Sequence, residues 1–334
     1  MLVSSATEST AHRWDVTMSI VIAGAGPIGT TVARTYVDQG IPVRVLTRSG
    51  SGPDHPLVER RRVDVTDAAA LAAAVQDAEI IHFCIHASVY DAKVWARELP
   101  AAEQLVLAAA EAAGAVVVFP ESLYAFDRSG TVTEATRHDA TGGKPGVRAL
   151  LLAARAASPV PTASVVSSDY FGPGAGMNAH AGDRVLKPAT GGGTVRPIGS
   201  ADLPHSWTYL PDLAAAMIRA GALTRDSHRT TGTAAGGIWF APTAATCSQR
   251  EIATAYARAA GHTDARVRPT PTWLLRVAGL ADRPSRGLVE MIDLFTRPLV
   301  MDSSASDAAL DLKPTPFDDA VRATVDAYLT TVTA

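Results

Sequence analysis

The residues with the clearest chemical meaning in this chain of 334 residues are three glycines near its start, Gly24, Gly26 and Gly29. Their spacing is typical of loops that hold a dinucleotide. The first glycine allows a sharp turn, the second leaves room for a pyrophosphate, and the third lets a helix lie close to a strand. Pro27 and Ile28 stand just before the third glycine, where backbone N–H groups at a helix start would face an anion. The pattern predicts a pyrophosphate site at residues 24–29.

The elements predicted around these glycines support a nucleotide site. The residues up to Ala23 form a short apolar run typical of a buried strand, and apolar residues return at helical spacing after Gly29. A second strand is predicted at Pro42–Leu46. Because the glycines stand between a strand and a helix and are followed by another strand, nucleotide binding is favoured over a purely structural glycine turn.

The end of the second predicted strand indicates which dinucleotide is bound. A pocket for an unphosphorylated ribose usually carries an acidic residue about 20 residues beyond the glycines, whereas a 2′-phosphate favours an arginine there. This chain has Arg48 at that point, and the first carboxylate after the strand is Asp54. The sequence therefore predicts NADP(H) rather than NAD(H) as the cofactor. The alternative is that Arg48 is a solvated loop cation.

Past Arg48, predicted strands and helices alternate, which indicates an α/β fold with a Rossmann-type, doubly wound parallel sheet. The predicted elements are a short strand at Arg62–Asp67, a helix from there to Val75, a strand at Glu79–Ile85, a helix at Ala92–Gly114, a strand at Ala115–Pro120, a helix at Pro145–Ala157 and a strand at Pro161–Val166. Thr66 or Asp67 is suited to cap the first of these helices.

Several residues are expected near the cofactor because of their positions at strand ends. Asp64 and Val65 should lie beside the adenine. Cys84 and His86 follow a central strand, at whose carboxyl end ligands collect in open α/β sheets. His86 and Tyr90 are candidates to line the nicotinamide or substrate side of the cleft.

The regular alternation of predicted strands and helices ends in the second half of the chain. Residues 172–199 are rich in glycine and proline, and the elements predicted after them are short and irregular. We therefore predict a dinucleotide-binding Rossmann domain at 18–168 and a smaller C-terminal lobe at 169–334, which mainly binds substrate and sends segments back to the first domain. Residues 1–17 are polar and without period, and are predicted to be an N-terminal extension.

Charge and cysteine content exclude several classes of protein. The formal net charge of -3 and the pI near 6.3 provide no basic field for nucleic acid. Cys84 and Cys247 lie in different segments without metal-ligand spacing, so neither a disulfide framework nor a metal site is predicted. No apolar run is long enough for a bilayer and no secretory signal is evident, so a cytoplasmic protein with a small-molecule partner is expected. The alanine-rich stretch Leu105–Ala115 suits either a homodimer contact or ordinary core packing.

Six motifs from Met18 onwards carry a family resemblance: Gly24–Gly29, Asp64–Asp67, Ser122–Tyr124, Gly143–Arg148, Ser168–Gly174 and Pro204–Asp212. Together they resemble the extended short-chain dehydrogenase/reductase superfamily, and more closely its atypical branch of NAD-dependent epimerase/dehydratase-like proteins. The resemblance implies a Rossmann fold and a nicotinamide dinucleotide cofactor. It does not fix the reaction, because Lys144 and Arg148 stand where the superfamily has its Tyr-x-x-x-Lys pair.

The resemblance places a serine and a replacement phenol near the nicotinamide. In such enzymes a Ser or Thr and the Tyr–Lys pair handle the substrate proton, and Ser122 matches the serine position. If this segment is strand-like, Ser122 and Tyr124 point the same way, which makes Tyr124 the leading candidate for the general acid. We expect Lys144 or Arg148 to lower the pKa of Tyr124. The alternative is that Tyr124 is only a wall of the pocket.

Two roles are predicted for Lys144. It either donates the proton itself, if burial and the neighbouring Arg148 depress its pKa, or it holds the ribose or phosphate of the cofactor. Because Lys144 precedes Pro145, it is expected to stay out of helical geometry, with the proline in the first helical turn.

Two further departures from the family concern the substrate. Sugar-nucleotide enzymes of the extended class bind the diphosphate of the substrate with an Asn and an Arg. The matching positions in this chain are Asp169 and His205. A carboxylate repels a diphosphate and a neutral imidazole is a poor substitute for a guanidinium, so a smaller, less anionic substrate is predicted. Alternatively, Asp169 bonds its own loop backbone and His205 lies at the surface. Trp207 is predicted to be an apolar wall of the pocket or simply a packed aromatic residue.

These features predict an NADPH-dependent oxidoreductase that reduces a carbonyl or activated double bond of a small, non-nucleotide organic compound. Ser122 would orient the oxygen, Tyr124 or Lys144 would supply the proton, and the cofactor would carry the hydride. One alternative is a redox-neutral epimerase or dehydratase that retains its cofactor. The other is a catalytically silent NADP(H)-binding sensor or scaffold, which the missing tyrosine–lysine pair motivates.

Overall fold

A seven-stranded parallel sheet forms the centre of the computed structural model, which describes residues 19–232 and 237–333. The strands, in chain order, are β1 (Ile20–Ala23), β2 (Val43–Thr47), β3 (Val58–Arg62), β4 (Ile80–Phe83), β5 (Val116–Ser122), β6 (Thr162–Ser167), β7 (Asp169–Phe171), β8 (Thr194–Val195), β9 (Trp207–Tyr209), β10 (Gly237–Phe240) and β11 (Arg266–Val267). Across the central sheet the order is β10-β6-β5-β4-β1-β2-β3, with every neighbouring pair parallel. The predicted α/β, Rossmann-type fold is thus confirmed, while the extension predicted at residues 1–17 lies outside the described residues.

Helices cover both faces of this sheet. In chain order they are α1 (Pro27–Asp38), α2 (Ala68–Val75), α3 (Ala92–Ala113), α4 (Gly143–Ala156), α5 (Asp183–Thr190), α6 (Leu210–Thr231), α7 (Gln249–Ala259), α8 (Thr272–Ala281), α9 (Arg283–Glu290), α10 (Asp293–Thr296), α11 (Ser304–Leu310) and α12 (Phe317–Thr333). Because parallel strands need crossover connections, the helices that follow the strands pack back onto the sheet in two layers.

Strand β1 shows how the core is divided between these layers. Ile20 and Ile22 pack in the cluster that contains α1 and α6, whereas Val21 and Ala23 pack in the cluster that contains α2 and α3. All four residues are buried, as expected for a strand covered on both faces. A sheet covered in this way exposes its ends, so binding groups collect at the carboxyl ends of its strands.

The predicted strand at Arg62–Asp67 is wrong. Pairing with β2 stops at Arg62, and the chain then forms a loop in which Val63 and Val65 are buried without continuing the strand. The apolar alternation that produced the prediction therefore reflects burial of a loop. Asp67 does cap α2, since its Oδ1 accepts the N–H groups of Ala69 and Ala70 at 3.1 and 3.0 Å.

The C-terminal half contributes to the central sheet and also forms an apolar cluster of its own. Helix α6 packs in the same core cluster as α1, and β10 is the edge strand beside β6. The separate cluster contains Phe171, Trp207, Tyr256 and Val325, from β7, β9, α7 and α12. Within the part of the chain that the structure describes, no helix combines the length and apolar character needed to cross a membrane.

A buried histidine makes the stability of the sheet depend on pH. His82 of β4 is fully buried, its Nε2 is 2.9 Å from the Tyr36 hydroxyl, and burial lowers its pKa to about 3. The unfolded chain, with a histidine pKa of about 6.5, binds a proton that the folded chain does not bind between those two values. Stability therefore falls as the pH falls through this window.

We expect acidification to destabilise the native chain more than a His82→Gln variant. Between about pH 7.5 and about pH 5, the free energy of unfolding should drop by about 2 kcal/mol more in the native chain. Equilibrium urea denaturation at both pH values measures the difference, with His55→Gln in an exposed loop as the control. The same pH effect in the native chain and in His82→Gln would refute this role of His82.

Candidate active site

The glycine turn between β1 and α1 excludes side chains at two positions. Gly24 has a φ of +102°, and a Cβ there would lie 2.8 Å from the Cys84 carbonyl oxygen. A Cβ on Gly29 would collide with the Gly24 carbonyl oxygen. The turn is therefore restricted to glycine at both positions by close contact of backbone with backbone.

The start of α1 is open at the same turn. Gly26 is the N-cap residue, a Cβ there would meet open space, and no described side chain caps the helix. Pro27 is the first helical residue, and Ile28 packs partly against the core behind it. An uncapped helix N-terminus with space in front of it suits an anion such as a pyrophosphate.

Two arginines meet at the end of β2. Arg48 directly follows this strand, and its side chain is exposed. Arg62, the last residue of β3, is also exposed and donates from Nε to the Arg48 carbonyl oxygen at 3.0 Å. The pairing of the two strands thus brings two positive charges to the edge where the sequence predicts a 2′-phosphate.

The residues predicted to lie near the adenine and the nicotinamide also have structural contacts. Asp64 Oδ1 accepts the N–H and hydroxyl of Thr66 at 3.0 and 2.8 Å, and these bonds lower the pKa of Asp64. Val65 is buried in the apolar layer on the α2 side. Cys84 lies against the glycine turn, and burial raises the pKa of its thiol to about 12. Contact of these three residues with a cofactor stays a prediction.

Two tyrosine hydroxyls meet beyond the end of β5. The strand ends at Ser122, and Tyr124 lies in the turn of 3-10 helix at Leu123–Ala125, so the prediction that Ser122 and Tyr124 share a strand face is wrong. The guanidinium of Arg128 stabilises this turn, since Nη1 donates to the Tyr124 carbonyl oxygen at 2.8 Å. The turn places the Tyr124 hydroxyl oxygen 2.8 Å from that of Tyr90.

A buried tryptophan gathers aromatic side chains around this tyrosine pair. Trp95 of α3 lies nearly parallel to the Tyr124 ring, with centroids 6.1 Å apart and 6° between the planes. It meets Tyr90 and His86 edge to face, at centroid distances of 5.5 and 4.7 Å. Both predicted pocket residues, His86 and Tyr90, thus lie on one aromatic wall with Tyr124.

The Tyr124 hydroxyl keeps its proton at neutral pH. Burial and the nearby Asp169 carboxylate raise the pKa of Tyr124 to about 12, although the bond from Tyr90 and the charge of Arg148 lower it in part. The prediction that a cation would lower this pKa below its usual value is wrong, because desolvation outweighs the cation. Burial also raises the pKa of Tyr90. The pair is suited to donating a proton rather than accepting one.

Lys144 is bound to helix α9. It lies in the first turn of α4, which begins at Gly143, so the prediction that it stays out of helical geometry is wrong. A proline is tolerated there because N–H groups of a first turn have no acceptor within the helix. Lys144 Nζ is 2.5 Å from Glu290 Oε2 and 2.9 Å from the Gly287 carbonyl oxygen. The ammonium group is fully buried and lies 4.4 Å from the centre of the Tyr90 ring.

A buried ion network lies beside Ser122. Arg155 bonds both carboxylate oxygens of Glu103, at 2.7 and 2.5 Å, and one oxygen of Glu121 at 3.0 Å. The other oxygen of Glu121 accepts the Ser122 N–H at 2.8 Å and lies 3.5 Å from Arg148 Nε. Arg148, at the family's lysine position, is therefore engaged with Glu121, and the network positions the carboxyl end of β5.

Asp169 joins two histidines where β7 begins. Its Oδ2 is 3.0 Å from His180 Nδ1 and 2.9 Å from His205 Nε2. Burial alone would raise the pKa of Asp169, but the two histidine contacts more than offset burial and hold this pKa well below its usual value. His205 is buried, with its ring centroid 4.1 Å from that of Trp207. The alternatives of a loop-bonded Asp169 and a surface His205 are therefore wrong.

Sequence reasoning missed three residues of this region: Trp95, His180 and Glu290. Glu290 is 146 positions from Lys144, and no local pattern connects them. His180 stands 11 positions after Asp169, inside the glycine- and proline-rich stretch. For His180, one signal of a functional role was available in the sequence: it is a histidine in a segment predicted to face the substrate.

The parallel sheet and the glycine turn between β1 and α1 define a protein of the Rossmann-type fold. The family model of the NAD dependent epimerase/dehydratase family matches residues 20–230. The chain belongs to this family, which confirms the resemblance drawn from its motifs. A comparison with curated protein sequences found no significant match.

Solved structures of sugar-nucleotide enzymes share the fold. The UDP-glucose 4-epimerase of Thermus thermophilus in complex with NAD is 19% identical over 93% of this chain and 99% of that chain, with a TM-score of 0.69. The UDP-glucose 4-epimerase of Thermotoga maritima with UDP-glucose is 13% identical over 94% and 100%, with a TM-score of 0.71. The dTDP-glucose 4,6-dehydratase DesIV of Streptomyces venezuelae, with NAD and TYD bound, is 18% identical over 94% and 97%, with a TM-score of 0.70.

Proposed function

We propose that the protein is an NADPH-dependent oxidoreductase that reduces a carbonyl or activated double bond of a small organic compound. The pair of hydroxyls formed by Tyr124 and Tyr90, 2.8 Å apart just past the carboxyl end of β5, is the observation that carries the proposal. Reduction of a carbonyl requires a hydride and a proton. A phenol with a pKa of about 12 keeps its proton at neutral pH and releases it to a stronger base, such as an alkoxide.

The residues present fit a nicotinamide dinucleotide. The open helix start at Gly26 suits the pyrophosphate, and the side-chain-free turn at Gly24 and Gly29 lets it approach the backbone. When bound, the dihydronicotinamide supplies the hydride. Ser122 orients the substrate oxygen, Tyr124 donates its proton to that oxygen, and the Tyr90 hydroxyl donates a hydrogen bond to the resulting phenolate across the 2.8 Å contact, until solvent returns the proton to Tyr124.

The charge at the start of the C-terminal lobe supports a substrate without a diphosphate. Asp169 is ionised and half-buried between two histidines, at the position where sugar-nucleotide enzymes of the extended class have an asparagine. A carboxylate at this point repels a diphosphate, because partial burial reduces the screening of its charge. The proposed substrate is therefore smaller and less anionic than the UDP-glucose bound by the Thermotoga maritima neighbour.

Arg48 and Arg62 support a phosphorylated cofactor. We expect Arg48→Ala to weaken NADPH binding about tenfold to a hundredfold, the range for losing charged hydrogen bonds to a phosphate, and to leave NADH binding unchanged. Isothermal titration with both cofactors measures the two affinities. Arg97→Ala, at an exposed position on α3, is the control. Equal losses for NADPH and NADH would exclude a 2′-phosphate contact.

Redox-neutral epimerisation or dehydration with a retained cofactor is the second candidate. The family match and the epimerase and dehydratase neighbours favour it. In this redox-neutral route Tyr124 and Ser122 would act in the same site, but the first step of the route would need a base rather than an acid. The high pKa of Tyr124 favours reduction over this route.

A screen of small aldehydes, ketones and enones for loss of NADPH absorbance tests the proposed function. Oxidation of NADPH in step with product formation supports reduction. A nicotinamide cofactor that co-purifies with the chain, together with conversion of a substrate without net NADPH consumption, would favour the redox-neutral route. If NADPH raises Tm but no compound is converted, a binding protein without catalysis is the better account.

A further inference from the structure

Three potential metal ligands converge on one point near the tyrosine pair. Asp169 comes from β7, His180 from the loop before α5, and His205 from the residues just before β9. Their ligand atoms, one carboxylate oxygen and two imidazole nitrogens, all lie within 4.8 Å of one another. The oxygen is 3.0 Å from one nitrogen and 2.9 Å from the other. Three separate segments of the chain thus place atoms that can each bind a metal ion close to one another.

The donor set fits a borderline divalent cation. Catalytic zinc sites use three protein ligands, commonly two histidines and one carboxylate, and leave a further position open. Ligand atoms around tetrahedral zinc lie about 3.3 Å apart, so Asp169 is already at that range from both histidines. The nitrogen donors disfavour Mg²⁺ and Ca²⁺, which prefer oxygen ligands.

Aromatic packing holds the two imidazoles in place. The His205 ring lies 4.1 Å from Trp207, and the His180 ring meets Trp207 and Phe295 edge to face at 5.4 and 4.9 Å. A cavity of about 10 Å³, about the space of one water molecule, borders the two imidazole rings and Trp207 on a side that Asp169 does not line.

We propose that Asp169, His180 and His205 bind a divalent transition metal ion of the Zn²⁺ class, with one coordination position left to water or to a substrate oxygen. The site stands on its own donor geometry and does not depend on the proposed reduction. A bound dication would offset the negative charge of Asp169, so the repulsion of a diphosphate described above belongs to the metal-free chain. It departs from the expectation of no metal site, which considered only cysteine spacing. Asp169 is close enough to Tyr124 and Tyr90 to act on both phenols electrostatically.

Equilibrium dialysis of the full chain against Zn²⁺, with metal content measured by mass spectrometry, tests the site. We expect one equivalent per chain, and we expect Asp169→Asn and His180→Ala each to weaken the affinity by about a hundredfold or more. Asp169→Asn keeps the size of the side chain and restores the residue type of the sugar-nucleotide enzymes, so it is a mild change. His55→Ala, on an exposed loop, is the matched control and should bind as the native chain does.

A second measurement needs no variant at all. Co²⁺ bound by two imidazoles and a carboxylate should give visible d–d absorption without a thiolate charge-transfer band, and Zn²⁺ should displace it. The proposal is overturned if the native chain takes up no stoichiometric Zn²⁺. It is also overturned if folded Asp169→Asn and His180→Ala bind as tightly as the native chain, or if the Co²⁺ spectrum shows thiolate from Cys84 or Cys247.

Discussion

Tyr124→Phe should lower kcat for carbonyl reduction by a factor of about 10² to 10⁴, the usual contribution of a positioned general acid. The change removes one oxygen atom and leaves the ring that stacks on Trp95. The Kd for NADPH and the Tm should therefore stay close to those of the native chain. Steady-state NADPH oxidation, with a substrate identified on the native protein, measures the loss.

The matched control for this prediction is Tyr90→Phe. It breaks the same 2.8 Å contact but leaves the Tyr124 hydroxyl in place. A neutral hydrogen bond contributes about 0.5–1.5 kcal/mol, so kcat should fall about tenfold or less. Native activity in Tyr124→Phe would show that Tyr124 is only a wall of the pocket, and a much larger loss in Tyr90→Phe would identify Tyr90 as the proton donor.

Because the pKa of Tyr124 is about 12, kcat should not fall between about pH 7 and about pH 10 through loss of its proton.

Arg155→Leu should lower the free energy of unfolding by about 3–5 kcal/mol. Arg155 is buried and bonds two buried carboxylates, Glu103 and Glu121. Leucine fills much of the volume but leaves both carboxylates without this cation, and an uncompensated buried charge is strongly unfavourable. Equilibrium urea denaturation near neutral pH measures the change.

Arg322→Leu is the control for Arg155→Leu. Arg322 pairs with Asp319 at 3.1 Å on the surface of α12, and both side chains are more than half exposed. An exposed pair contributes little to stability, so the unfolding midpoint should barely move. If Arg155→Leu had the same free energy of unfolding as Arg322→Leu, the buried ion network would not be what positions the carboxyl end of β5.

The sheet was predictable from the sequence because its signals are local. The apolar run before Gly24 and the helical spacing after Gly29 each depend on a few neighbouring residues. The same reasoning failed at Arg62–Asp67, where alternating valines are buried in a loop rather than a strand. A loop that buries every second side chain shows the same alternation of apolar and polar residues as a strand. Only the presence or absence of backbone pairing with β2 distinguishes the loop from the strand.

The site was less predictable because its contacts join distant parts of the chain. Lys144 was expected beside the cofactor, but its partner Glu290 comes from α9, 146 positions away. The pKa of Tyr124 was expected to fall because cations follow it in the sequence. In the structure Trp95 and Tyr90 bury the phenol, and desolvation outweighs the charge of Arg148.

A crystal structure of the chain with NADP⁺ would show whether the glycine turn holds the cofactor and the tyrosine pair faces it. We expect the pyrophosphate at the start of α1, the 2′-phosphate between Arg48 and Arg62, and the nicotinamide ring facing Ser122 and Tyr124. A dinucleotide bound away from the glycine turn, or a nicotinamide ring separated from Tyr124 by protein atoms, would contradict this expectation.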